Sequence, residues 1–285
     1  MPTVPASVKN FADSIPHPIA LIGCRTSEIS LECCEYDLAV FATEHQINQI
    51  KQIDDHAMEL AYFTEPVKNY VVEMGGMLIL KDSNEFALSS AAMDITQEKY
   101  SKALVAAGKK SLISSLFCQQ KMRQTKQLAV AAMWLKIASY DFVEGMLALM
   151  GSRPMPLHEL EQVRKTDPGR MAEGVEVALE CIGMERATRP AIARSIEAVK
   201  ELKSKDHDRD LLVSKVDHLL RHSMLADCYY YAGRLAARNL AGRQEAFYSK
   251  YAKLIQLALD LTSDTQHLEK LQKRLFKAAN DGLKV

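Results

Sequence analysis

Apolar positions change their spacing near residue 95. Before it, short apolar runs are separated by turn-forming residues. Ile19–Ile22 and Asp37–Phe41 read as strands, and the short segment Arg25–Cys34 between them has room for a brief helix. Gln49–Ile53 and His56–Phe63 flank Asp54-Asp55, which predicts a hairpin. Thr64-Glu65-Pro66 supplies a cap, an acid and a first-turn proline, predicting a helix to Met74 that stops at Gly75-Gly76. Met77–Lys81 is a further apolar strand, closed by the turn Asp82-Ser83-Asn84.

After Thr96 the strand signal ends. Segments 96–115, 119–150, 156–165, 169–181, 188–204, 208–240, 242–261 and 264–280 carry helical spacing or helix-favouring composition. Gly151, Pro154, Pro156, Pro168, Gly169, Gly183, Pro190 and Gly242 mark the joints. Within 208–240, Leu212, Val216, Leu219 and Leu220 fall three or four apart, as a buried helix face requires. The expected fold class is α+β. A small α/β domain over residues 1–95 precedes a larger all-helical bundle over residues 96–285. The most apolar long stretch, Leu128–Met150, contains Lys136, Asp141 and Glu144, so it reads as a buried helix and not as a membrane span.

Composition narrows the setting more than the chemistry. The 285 residues carry 36 Lys+Arg and 36 Asp+Glu, so net charge offers no argument for nucleic acid or an anionic membrane as partner. A local basic patch stays open. Six cysteines show no CxxC spacing, and the N-terminal MPTVPASVKNFADSIP lacks a charged-then-apolar leader. A soluble cytoplasmic protein with free thiols and no membrane partner is expected.

Candidate chemistry lies in residues 18–42. One apolar run ends at Gly23-Cys24, and ten residues later another opens with Glu35-Tyr36-Asp37. Residues two apart on a strand point to one side, about 7 Å apart. Glu35 and Asp37 would therefore present paired carboxylates beside a glycine turn, an arrangement suited to magnesium on a nucleoside triphosphate. The competing reading is two solvated acids at a strand start. Asp206/Asp208, Asp208/Asp210 and Glu159/Glu161 share the spacing but lie in helical or linker sequence, where such residues diverge. A third acid is needed for two-metal chemistry. Glu59, between Met58 and Leu60, is the best candidate, with a wet strand face as its alternative and Glu73 in reserve.

These residues resemble the nucleotidyltransferase superfamily of kanamycin nucleotidyltransferase and the polymerase-β-like folds. That pattern is apolar-Gly-Ser or Gly-Gly, then Asp-apolar-Asp about a dozen residues on, then a third acid on a later strand. This chain has Ile22-Gly23-Cys24, Glu35-Tyr36-Asp37-Leu38 and Met58-Glu59-Leu60. Met77–Lys81 with Asp82-Ser83-Asn84 matches the strand and acidic turn that follow. The resemblance covers roughly residues 15–90. It departs where Cys24 replaces serine, because a thiol is a weaker donor, and where Glu35 replaces aspartate, adding a methylene. It implies a mixed sheet domain and Mg²⁺-dependent transfer of a nucleoside monophosphate from an NTP, such as ATP, to a hydroxyl acceptor. Glu35, Asp37 and Glu59 would hold two Mg²⁺ ions and carry catalysis, while Gly23, Cys24 and Arg25 would bind the nucleotide. The alternative is a catalytically degenerate relative that binds nucleotide or a protein partner.

The helical half offers less. Tyr230, Arg234 and Arg238 recur every four residues, with His222, Tyr229 and Tyr231 nearby. The stripe reads either as a base- or phosphate-binding face or as a solvated helix edge. His56 and His222 lack partners at ligand spacing. Cys33-Cys34, Trp134 and the thirteen methionines read as core filling. A third possibility is an interaction protein whose helical domain does the work, and a buried face on helices 119–150 or 242–280 could serve a dimer as easily as an internal core.

Overall fold

The computed structural model describes residues 3–44, 46–64, 66–201, 209–262 and 264–284. Asp206 and Asp208, two of the comparison acids, and Glu65 of the expected helix start fall outside them. The architecture is α+β, a small mixed sheet followed by many helices. The chain divides into two compact units. One gathers described residues of Met1–Ala103 and of Asp206–Lys215, and the other those of Leu104–Lys205 and Val216–Val285.

The first unit is built on five strands: β1 (Ile19–Ile22), β2 (Tyr36–Phe41), β3 (Gln49–Ile53), β4 (His56–Phe63) and β5 (Leu78–Lys81). Their order is β3-β4-β2-β1-β5. β2 and β4 are parallel, and the other pairings are antiparallel. Alternation along each strand gives the sheet two apolar faces. Leu21, Leu38, Val40, Met58 and Leu60 pack on one face with Val8 and Ala12 of helix α1 (Ala6–Ser14). Ala20, Ile22 and Ala39 pack on the other with Met74 of α2 (Val71–Met74) and Leu88 of α3 (Ala87–Asp94). The Asp54-Asp55 hairpin forms as expected, with Ile53 paired to His56 and Asp54 at φ 50°.

The expected continuous helix from Thr64 to Met74 does not form. Val67–Asn69 make a 3₁₀ turn, Tyr70 leaves helical geometry at ψ 40°, and α2 is a single turn. The β-branched and aromatic run Tyr70-Val71-Val72 is a weak helix former, and Phe63 packs edge-on against Tyr70 at 4.6 Å. Packing against the sheet outweighs the proline signal. Asp82, read as part of an acidic turn, seeds α3. Its carboxylate accepts from the Ser83, Leu88 and Ser89 amides and from the Ser89 hydroxyl at 2.6–2.9 Å. Burial opposes its charge, but those hydrogen bonds hold its pKa below the usual aspartate range.

α4 (Gln97–Gln124) begins in the first unit and runs on past the expected stop in the second, whose most buried helix is α5 (Leu128–Leu149). Around them lie α6 (Glu159–Lys165), α7 (Ala172–Ile182), α8 (Arg189–Glu201), α10 (Leu225–Ala241), α11 (Glu245–Ala258) and α12 (Thr265–Gly282), with α9 (Arg209–Arg221) beginning in the first unit. The expected 208–240 helix breaks at Ser223, whose φ of 58° separates α9 from α10. Among the described residues, no helix is long and apolar enough to cross a membrane.

The Tyr230/Arg234/Arg238 stripe is not a solvated edge. Tyr230 and Arg234 are fully buried. One Arg234 guanidinium nitrogen lies 2.6 Å from Glu144 and 2.5 Å from Glu159, while the Tyr230 hydroxyl donates to Glu159 at 3.0 Å. Arg238 reaches Glu144 from the surface at 2.7 Å. Burial dominates at Glu159, pushing its carboxyl from 4.5 up to about 7 against the pull of Arg234. Between those values the folded chain holds this proton more tightly than the unfolded chain. Glu159's contribution to stability therefore falls as pH rises from about 4.5 to about 7. The unfolding free energy of wild type relative to Glu159→Gln should decline across that window in urea titrations. A flat difference would contradict the assignment.

Candidate metal centre

The sheet register assembles the acids. In the antiparallel β1/β2 pair Ile22 lies opposite Asp37, and in the parallel β2/β4 pair Asp37 lies beside Glu59. Tyr36 and Leu38, and likewise Met58 and Leu60, bury on the α1 face, so Asp37 and Glu59 must emerge on the other. Glu35 joins them from the residue before β2. A carboxylate oxygen from each of Glu35, Asp37 and Glu59 lies within 4.8 Å of the other two. Glu73, the reserve candidate, is not in this group.

Gly23 closes the same corner. Its φ is +77°, and a Cβ built there would stand 2.0 Å from Asp37 Oδ2. The absent side chain is what lets the Asp37 carboxylate rest on the backbone of the turn. Gly23→Ala should therefore add backbone strain of about 1–3 kcal/mol and push the Asp37 carboxylate aside. Thermal unfolding should register the first effect and weakened divalent-ion binding the second. Full retention of both would show that the contact is dispensable.

Like charges crowd the centre. Burial raises the pKa of Glu59 above the usual glutamate range, and Glu35 raises it further, against a lowering pull from Lys215. Half-buried carboxylates held close together are an unfavourable arrangement without a cation. Part of that cation is already present. Lys215, on α9 and within the same compact unit, places its ammonium 2.7 Å and 2.6 Å from the two oxygens of Glu35. Its side chain is 9% exposed and that of Glu35 13%.

Lys215 was missed in the sequence, although a signal existed. Leu212, Val216 and Leu219 define the buried stripe of α9, and Lys215 stands on it, three residues after Leu212 and four before Leu219. A lysine inside an apolar helical stripe needs a buried partner.

The nucleotide-binding candidates are placed less simply. The Cys24 thiol is hydrogen-bonded to Cys34, and with burial and the nearby Asp37 and Glu35 this drives it far above the usual thiol range, so it stays protonated. Arg25 donates to the carbonyls of Cys34 and, at 3.0 Å, of Glu32, and its guanidinium stacks 4.6 Å above the Tyr36 ring. Tyr36 belongs to the α1 face, so Arg25 braces the loop before β2 on the side opposite Asp37. His56 stacks edge-on with Tyr36, and His222 bonds the His218 carbonyl, both ordinary polar contacts.

Divalent magnesium takes oxygen ligands at about 2.0–2.1 Å, so opposite ligands stand about 4.2 Å apart. Only one pair among three ligands can be opposite, and adjacent ones stand about 2.9 Å apart, so the three carboxylates, within 4.8 Å of one another, would have to draw closer to share one ion. The donors fit a hard divalent cation. Compared with known proteins, the chain matches no family model, no curated protein and no solved structure.

Proposed function

We propose that the first unit is an Mg²⁺-dependent nucleotidyltransferase, moving a nucleoside monophosphate from an NTP to a hydroxyl acceptor. One observation carries the reading: two carboxylates at the start of β2 and a third from β4 meet beside the Gly23 turn. The resemblance of residues 15–90 supplies the reaction class, and the donor set supplies the choice of ion. Asp37 and Glu59 would hold the ion, with Glu35 beside them. The bound ion would contribute neutralisation of phosphate charge.

In that reaction the acceptor oxygen forms a bond to the α-phosphorus, the bond to the β-phosphate oxygen breaks, and pyrophosphate leaves. The acceptor's proton needs a carboxylate to receive it. Glu59 would take that role through an oxygen not bound to the ion. Calorimetric titration with ATP and Mg²⁺ tests the reading. Uptake that depends on Asp37 and Glu59 is expected, and no uptake would overturn it.

A second reading is favoured by two specific contacts. The Lys215 ammonium already rests on Glu35, and the Cys24 thiol is committed to Cys34 where the family pattern has a serine hydroxyl. Both suit a relative that binds nucleotide without turning it over. Release of pyrophosphate during incubation with a hydroxyl acceptor would exclude it.

A further inference from the structure

We propose that Cys24 and Cys34 form a reversible disulfide in the presence of a hydroperoxide, and that this bond weakens divalent-ion binding at the neighbouring acids. The inference rests on the nucleotidyltransferase reading and adds a control of its metal centre. The two sulfurs lie within 4.8 Å of each other, and the Cys24 thiol is hydrogen-bonded to Cys34. Their places in the chain tie them to the site. β1 and β2 are paired as far as Ile22 and Asp37. Cys24 follows Gly23 just past the end of β1, and Cys34 precedes Glu35 just before β2. Cys24 is also the residue that stands where the resembled pattern has serine, and a serine could not form this bond.

Cys34 is the sulfur on which the donors of this corner converge. Besides Cys24 it receives the Leu31 amide at 3.3 Å and the thiol of Cys33. Cys33 is the poorer partner for a bond. Adjacent Cα atoms stand about 3.8 Å apart, short of the roughly 4.4–6.8 Å that a disulfide takes. Cys24 and Cys34 are 9% and 4% exposed, so packing keeps the two sulfurs together and away from thiols of other molecules.

The oxidant is a hydroperoxide, hydrogen peroxide in the simplest case. The Cys34 sulfur attacks one peroxide oxygen. An S–O bond forms as the O–O bond breaks, and the released hydroxide takes the Cys34 thiol proton as water, leaving a sulfenic acid. The Cys24 sulfur then attacks the Cys34 sulfur. The S–S bond forms as the S–O bond breaks, and the departing hydroxide leaves as water with the Cys24 proton. The two sulfurs lose two electrons and the peroxide gains two. A dithiol reverses the bond by two exchange steps. Bonded sulfurs stand about 2.05 Å apart, closer than any hydrogen-bonded pair, so the bond draws Cys34 toward the Gly23 turn. Both thiols are packed, and a close-packed interior passes such a shift on to its neighbours. Glu35 is the next residue and leaves the position it shares with Asp37 and Glu59.

The test treats the full chain with hydrogen peroxide, removes the peroxide, alkylates the remaining thiols under denaturing conditions and maps the bond by mass spectrometry of unreduced peptides. Mn²⁺ is the probe of the centre, titrated by electron paramagnetic resonance before oxidation, after it, and after dithiothreitol. Oxidised wild type should carry the Cys24–Cys34 bond and bind Mn²⁺ at least about tenfold more weakly, the scale of loss when groups supporting a metal are disturbed. Dithiothreitol should restore the affinity. Cys33→Ser should respond as wild type does, and Cys24→Ser should form no bond and keep its own Mn²⁺ affinity through the treatment. Absence of the bond in treated wild type overturns the inference whether or not any variant folds. So does a bond that leaves Mn²⁺ affinity unchanged or raises it, or a loss of affinity in treated Cys24→Ser. Each of those outcomes removes the switch alone. No Mn²⁺ bound by reduced wild type overturns the nucleotidyltransferase reading and the switch with it.

Discussion

Replacing Arg234 with methionine is expected to remove about 3–5 kcal/mol of unfolding free energy, the usual cost of stripping one partner from a buried charge pair. Arg234 is 1% exposed and faces Glu159, which is fully buried, and Glu144. Glu144 would keep Arg238 at 2.7 Å. Glu159 would keep the Tyr230 hydroxyl at 3.0 Å, without the guanidinium charge beside it. It would then have to take up a proton or remain as a buried anion. The loss should therefore be larger at pH 8 than at pH 5, where Glu159 is already protonated in the folded chain. Adding Glu159→Gln to the methionine variant should recover more than half of the loss, because the orphaned charge is gone. Urea unfolding at the two pH values measures all of this. A loss below about 1 kcal/mol, or no recovery in the double variant, would show that the pair is not what holds α6 and α10 to α5.

Asp37→Asn should weaken binding of ATP with Mg²⁺ by at least about 100-fold, or about 2.7 kcal/mol. The substitution keeps the shape that rests against Gly23 and removes one charge and one oxygen ligand. Thermal unfolding of the metal-free variant should show it folded, so that the loss is read as lost binding. Equal affinity in the two proteins, with folding intact, would remove Asp37 from the site.

Lys136 shows the same physics without a carboxylate partner. Its ammonium is buried in α5, donating to the Leu259 carbonyl at 2.7 Å and lying 3.2 Å from the Tyr229 hydroxyl. Burial, with Arg186 adding repulsion, lowers its proton affinity from 10.5 to about 7. The second unit thus holds several ionisable side chains inside helix contacts. Two of them find their partners far along the chain. Lys136 meets a carbonyl 123 positions away, and Arg234 meets an acid 90 positions away.

Local pattern was enough for the strands. Four-to-eight-residue apolar runs bounded by turns, and the change to helical spacing after Thr96, are properties of neighbouring residues. The Asp54-Asp55 hairpin, the buried character of Leu128–Leu149 and the pairing of Glu35 with Asp37 could be read for the same reason. The Thr64–Met74 helix failed because its side chains answer to the sheet and not to one another. The Tyr230/Arg234 stripe could not be placed because a four-residue repeat says which residues share a face, and not which face is buried.

By itself the sequence determined the α+β class, the strands in their order along the chain, and the two acids at the mouth of β2. Each of these depends on residues within one or two turns of each other. Tertiary structure alone decided that Glu59 stands in register beside Asp37, that Arg25 braces a loop on the opposite face, and that Lys215 closes on Glu35. Strand pairing and helix docking join residues whose separation along the chain carries no information about their separation in space. The charges at this centre could be counted only after those joins were made.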